Sequence, residues 1–89
     1  MERRRVLYAG RVQGVGFRYT AERLAGAYPI SGYVKNLADG RVELEAQGMG
    51  SDLDAFVDRL GLEMGGKIAS ATRSDLPVRE GESGFEIRY

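Results

Sequence analysis

The sequence predicts an α+β sandwich of the split βαβ kind, in which an antiparallel sheet carries two helices on one face. Three observations predict it. Apolar periods of two and of about 3.6 residues alternate along the chain in the order β-α-β-β-α-β, with a short strand at the end. An Asp39-Gly40 turn signal joins the second and third strands directly. The 89 residues suffice for one core, and a single domain over residues 1–89 is expected.

Val6, Tyr8, Gly10 and Val12 alternate with Leu7, Ala9 and Arg11, which reads as the first strand. Gln13-Gly14-Val15-Gly16 interrupts it. Phe17, Ala21, Leu24, Ala25 and Tyr28 fall at i, i+4, i+7, i+8 and i+11, the stripe of a helix ending before Pro29. Residues 30–36 make a second strand. Beyond the Asp39-Gly40 turn, Val42, Leu44 and Ala46 alternate with Arg41, Glu43, Glu45 and Gln47, a third strand with one wet face. Ser51 is expected to cap a second helix, with Asp54 reaching back; Leu53, Phe56, Val57 and Leu60 form its stripe and Gly61 ends it. Residues 68–75 read as a fourth strand, residues 75–84 as a loop around Pro77, and Phe85, Ile87 and Tyr89 as a terminal strand. This is the ferredoxin-like order. Its first and second strands run parallel with the third between them, so residues 13–18 and Asn36 should meet at one sheet edge.

Composition narrows the chemistry. There is no cysteine and no histidine, which removes disulfides, thiolate metal sites, a cysteine nucleophile and the commonest general base. Hydrophobic residues make up 43% and charged residues 29%, an ordinary soluble globular balance. No apolar run approaches the ~20 residues of a membrane span, and no signal-like segment follows the first Met; a cytoplasmic location is expected. The net charge is zero, which argues against an obligate nucleic-acid binder. Residues 1–41 nevertheless hold eight basic and three acidic side chains, and the remainder five and ten, so an anion site belongs in the first half.

The segment Gln13-Gly14-Val15-Gly16-Phe17-Arg18 joins a strand to a helix N-terminus, where unpaired N–H groups and the helix dipole favour an anion. Glycines allow close approach of the backbone. Arg18 adds a planar, permanent charge able to hold two phosphate oxygens. A simple turn would also use such glycines. Glycine is absent where a G-x-G-x-x-G motif needs it, at Tyr19, and the Gly-Lys pair of a P-loop does not occur in a matching context. Asn36 reads either as a turn former or as an amide that orients a water by donating and accepting hydrogen bonds.

Gly10-Arg11-Val12-Gln13-Gly14-Val15-Gly16-Phe17-Arg18 and Gly32-Tyr33-Val34-Lys35-Asn36-Leu37-Ala38-Asp39-Gly40-Arg41-Val42, with Gly48, resemble the two signatures of the acylphosphatase family. The likeness is good over about residues 5–62. It implies a ferredoxin-like enzyme that hydrolyses carboxyl-phosphate anhydrides, with Arg18 holding the phosphate, Asn36 positioning the attacking water, and no metal or organic cofactor. The implied partner is a small acyl phosphate, with no nucleic acid or membrane, and a monomer is expected. Tyr8 stands where the family tends to be aliphatic, and residues 66–83 match its penultimate strand and loop poorly. A carboxylate leaves without much acid catalysis, so the missing histidine fits the implied reaction.

Other charged residues read as structural. Arg3-Arg4-Arg5 is expected to be a solvated terminal run, Glu43 and Glu45 a soluble sheet face, and Asp52, Asp54 and Asp58 ordinary early-helix acids. The third strand offers acids where an RNA-binding sheet would offer aromatics and cations, which disfavours that function. The closer alternative is a non-catalytic domain that binds acyl or carbamoyl phosphate. The terminal strand is expected beside the second and parallel to it, placing the Tyr89 carboxylate on Arg18.

Overall fold

The structure, a computed structural model, describes residues 1–89. Its elements are β1 (Glu2–Gly10), α1 (Phe17–Ala25), β2 (Ser31–Asn36), β3 (Val42–Gly48), α2 (Gly50–Met64), a 3-10 turn (Gly65–Lys67), β4 (Ile68–Leu76) and β5 (Phe85–Arg88). The sheet order is β4-β1-β3-β2-β5. All neighbours are antiparallel except β2 and β5, so the sheet is mixed, and β5 runs parallel to β2 as the terminal alternation suggested. The α+β, ferredoxin-like arrangement is the one the periodicities predict.

One face of the sheet carries the core. Val6 and Tyr8 from β1, Val34 from β2 and Val42, Leu44 and Ala46 from β3 pack against both helices. The helices contribute Phe17, Ala21, Leu24 and Ala25 from α1 and Leu53, Phe56, Leu60 and Met64 from α2. These two sets are the stripes that the 3.6-residue period produces, and burying each large side chain is worth about 1.5–3 kcal/mol. Tyr8 fills its place with its ring 4.8 Å from that of Phe17.

Several boundaries differ from the sequence reading. β1 begins at Glu2 rather than Val6 and takes in all three arginines, so Arg3-Arg4-Arg5 is no solvated tail. Strand alternation sends Arg3 and Arg5 to the open face and Arg4 to the helix face, where it pairs with Asp54 of α2. Arg3 is 2% exposed. β3 continues to Gly48, so α2 starts without an intervening loop; Met49 is its N-cap, Ser51 lies inside the first turn, and no side chain caps it. The helix passes through Gly61 because Met64 extends the Leu53-Phe56-Leu60 stripe by one more turn. At the other helix, α1 stops at Ala25 and Tyr28 packs on the core from the following turn.

The open face of the sheet is polar but substantially buried. Glu45, expected to be wet, is 9% exposed and accepts from Arg3 Nε at 2.9 Å. The connection from β4 to β5 must cross the sheet, because these strands form its two edges. It is fastened on the way: Glu82 accepts from Arg3 at 2.8 Å and from Ser31 at 2.9 Å, and Gln47 exchanges two hydrogen bonds with the Arg79 backbone, at 2.7 and 2.8 Å. Arg3 holds the Glu82 carboxyl below its ordinary value against burial; at Glu45 burial is the larger opposing effect, and the hydrogen bonds from Tyr33 and Arg3 together outweigh it, so its carboxyl is lowered too.

Candidate active site

The parallel course of β1 and β2, with β3 between them, brings the loop after β1 to the end of β2. A cleft of about 220 Å³ lies there. Gly14, Gly16, Phe17 and Arg18 line one side and Asn36 another, with Val12 and Ile87 supplying apolar wall and Tyr19 and Tyr89 also on the lining. The two segments singled out in the sequence therefore do meet.

The loop is shaped by its glycines. Gly14 and Gly16 have φ of 74° and 78°, the left-handed region that other residues enter only with strain, although a Cβ at either position would meet nothing. Gly16 is also the N-cap of α1 and offers no side chain to the first-turn N–H groups. Those donors are left for a ligand, at the positive end of the helix dipole. Of the six residues expected in the cradle, Gln13 and Val15 do not line the cleft. Val15 packs against the core. Gln13 Nε2 donates to the carbonyls of Leu37 at 2.7 Å and Arg41 at 2.9 Å, tying the cradle loop to the turn just after Asn36. That tie escaped the sequence reading, which gave Gln13 only a backbone role.

Arg18 is held from behind. Its Nη1 donates to the Arg88 carbonyl at 3.2 Å, and its guanidinium lies 4.8 Å from the centroid of the Tyr89 ring. The expected pairing with the Tyr89 carboxylate is not what the tail provides; the ring and the preceding carbonyl take its place. A carbonyl uses one N–H of a guanidinium that has five, leaving the rest of the fork for an anion.

Asn36 ends β2 opposite Val42 of β3, on the helix-covered side. Its Oδ1 is buried and has no partner within the protein. Buried amide oxygens are rarely left so. Asn36 itself lines the cleft across from the cradle, and an amide can both donate to and accept from a hydroxylic ligand such as water. Gly32 makes this placement possible at the other end of the strand. With φ of 151°, it lies so close to β3 that a Cβ would overlap the Glu45 carbonyl oxygen. The side chains missed in the sequence, Val12, Tyr19, Ile87 and Tyr89, come from three separate parts of the chain, and no local motif joins them.

In this α+β sandwich a bare helix N-terminus, a braced arginine and a facing amide share one cleft, an arrangement of the class that can hold a phosphate. Its relatives make the class specific. The acylphosphatase family model matches residues 4–87, including the tail that the two signatures leave out. An acylphosphatase of Clostridium acetobutylicum is 41% identical, the match covering 100% of this chain and 99% of that one. The crystal structure of acylphosphatase from Bacillus subtilis superposes with a TM-score of 0.91 at 37% identity over 100% of both chains. The structure of HypF from T. kodakarensis matches at 28% identity and a TM-score of 0.86, covering 100% of this chain and 12% of that one. This chain belongs to the acylphosphatase family.

Proposed function

We propose that this chain performs its family's reaction, hydrolysis of the carboxyl-phosphate bond, by direct attack of water on phosphorus, with Arg18 and the cradle holding the phosphoryl group and Asn36 holding the water. The observation that carries these roles is the opposition, in one cleft, of a braced cation at a bare helix N-terminus and the Asn36 amide. Near-complete coverage of the Clostridium acetobutylicum acylphosphatase supports the enzyme over a non-catalytic binding domain.

The proposed step is simple in its bookkeeping. The Asn36 amide hydrogen-bonds the water, which turns a lone pair toward phosphorus. As its oxygen bonds to phosphorus, the bond from phosphorus to the carboxyl oxygen breaks and a carboxylate departs with the electron pair. The water's second proton passes to a phosphate oxygen or to solvent, and no phosphoenzyme forms. Because the transition state is loose, its charge sits on the equatorial oxygens, where Arg18 and the N–H groups of the first turn of α1 act. Asn36 cannot accept a proton; it lowers the barrier by orientation alone. The substrate is a small acyl phosphate, and the proposed setting is the cytoplasm, with a monomer as the working form.

The test is phosphate release from benzoyl phosphate in the presence of a chelator, repeated with Asn36→Ala and with a phosphomonoester. The variant should lose most turnover while inorganic phosphate binds with nearly unchanged affinity. The phosphomonoester should remain almost untouched, since nothing is placed to protonate an alkoxide. If phosphate affinity fell as far as the rate, Asn36 would be a phosphate ligand or a structural post.

A further inference from the structure

The support behind Arg18 is a backbone carbonyl in a weak place. Arg88 is the last residue of β5, a strand of four residues at the sheet edge, paired on one side only. Terminal residues of such strands fray, and a frayed Arg88 would carry its carbonyl away from Arg18 Nη1. Beyond its register with Lys35 of β2, two side-chain contacts hold it: its Nε donates to Glu86 Oε1 at 2.9 Å, an exposed pair within its own strand, and a second contact lies on the open face of the sheet. The Arg88 guanidinium sits 4.0 Å from the centroid of the Tyr33 ring, a diagonal neighbour across β2 and β5.

Tyr33 is itself fixed. It is 6% exposed, and its Oη lies 2.8 Å from Glu43 Oε1 and 2.5 Å from Glu45 Oε2, so that one hydroxyl proton serves two carboxylates. Each carboxylate has its own arginine: Arg5 at 2.7 Å from Glu43 and Arg3 at 2.9 Å from Glu45. The ring is thus clamped by its hydroxyl end and offers its face to Arg88. A lone exposed cation-π contact would be unremarkable, but this one ends on the residue whose carbonyl braces the cleft arginine.

We infer that Tyr33 is a positioning residue: its ring holds Arg88, and through the Arg88 carbonyl it fixes the orientation of Arg18 from the far side of the sheet. The inference rests on the reading of Arg18 as the phosphate-holding group. Its own content is the coupling of Tyr33 to Arg18 through Arg88.

The experiment compares wild type, Tyr33→Leu, Tyr33→Phe, Arg88→Ala and the Tyr33→Leu/Arg88→Ala double variant. Three quantities are read: the inorganic phosphate dissociation constant, kcat on benzoyl phosphate, and the NMR signal of the Arg18 guanidinium. Losing one cation-π contact should weaken phosphate binding and lower kcat by about two- to fivefold each, in Tyr33→Leu and Arg88→Ala alike. The double variant should be no worse than either single one. Tyr33→Phe keeps the ring and should stay within about twofold of wild type in phosphate affinity, even where its loss of the hydroxyl clamp lowers Tm. The Arg18 signal should broaden in the leucine variant and not in the phenylalanine one. Additive effects, or a Tyr33→Leu protein that melts earlier but binds phosphate and holds Arg18 as wild type does, would overturn the coupling. Should Tyr33→Leu fail to fold, Arg88→Ala with an undisturbed Arg18 signal would overturn it equally. Wild-type protein that bound no phosphate would instead defeat the underlying assignment of Arg18, and the NMR comparison would still decide whether Tyr33 orders that side chain.

Discussion

Replacement of Arg18 by alanine removes the only side-chain charge on the lining of the cleft. A unit charge about 4 Å from an anionic oxygen interacts with it by about 4 kcal/mol at an effective dielectric constant near 20, and by about 1 kcal/mol in bulk water. The cleft is open at its mouth, where Tyr19 and Tyr89 are 68% and 91% exposed, so a value between these limits applies. About 3 kcal/mol corresponds to a loss of roughly 10² in kcat/KM, in the range found when a single preorganised donor is removed. Arg18→Lys separates charge from orientation. A lysine keeps the cation but cannot both donate to the Arg88 carbonyl and present a planar fork, so it should recover only about tenfold of what alanine loses. The assay is initial-rate phosphate release, with thermal melting to confirm folding. Alanine within about tenfold of wild type would refute the electrostatic argument. Lysine equal to arginine would show that charge alone suffices and that the bracing from β5 is irrelevant to rate.

Tyr8 should be improvable: its hydroxyl is buried without a partner, so Tyr8→Phe keeps the contact with Phe17 and removes an unsatisfied group, raising stability by about 1 kcal/mol in chemical denaturation. A loss of stability would mean that the hydroxyl is satisfied after all. Glu82→Gln should weaken the crossing connection in a pH-dependent way. Because Arg3 lowers the folded-state Glu82 value below the ordinary 4.5, its contribution is complete above that pH and disappears as pH falls through the lowered value. The stability gap between wild type and variant should therefore narrow below pH 4.5, and a gap independent of pH would contradict the ion pair. Tyr19→Ala should raise KM for benzoyl phosphate more than for acetyl phosphate, since the cleft has the volume of only about seven waters and a larger acyl group must emerge past Tyr19. Equal effects on both substrates would place the acyl group elsewhere.

The helices, the inner strands and the cradle were legible because each is written locally. Phe17, Ala21 and Leu24 repeat at the helical period, Val42, Leu44 and Ala46 at the strand period, and the Gly14-Val15-Gly16 loop stands directly before its helix. Asn36 became interpretable only once the strand order placed it opposite that loop. What escaped notice is the polar half of the sheet, and the reason is physical. Hydrophobic periodicity reports burial that is favourable for one residue alone, whereas burial of a charge is tolerable only with a partner. Arg3 is as buried as a core valine because Glu45 and Glu82 lie against it, yet these are 42 and 79 residues away in sequence. Seen without them, an arginine next to two others has every mark of a solvated end.

The same logic explains why the site's supports were harder to read than the site. The cradle and Arg18 occupy consecutive positions because a helix N-terminus is a local object. Bracing Arg18 requires a rigid acceptor approaching from outside the helix, which only another segment can bring. Here that segment is an edge strand whose arrival depends on the chain crossing the open face between β4 and β5. The polar groups on that face hold the crossing in place: Arg3 to Glu82, Ser31 to Glu82, and Gln47 to the Arg79 backbone. A polar network there therefore does more than make the face soluble. It delivers β5, and with it the Arg88 carbonyl, to Arg18, the side chain proposed to hold the phosphate.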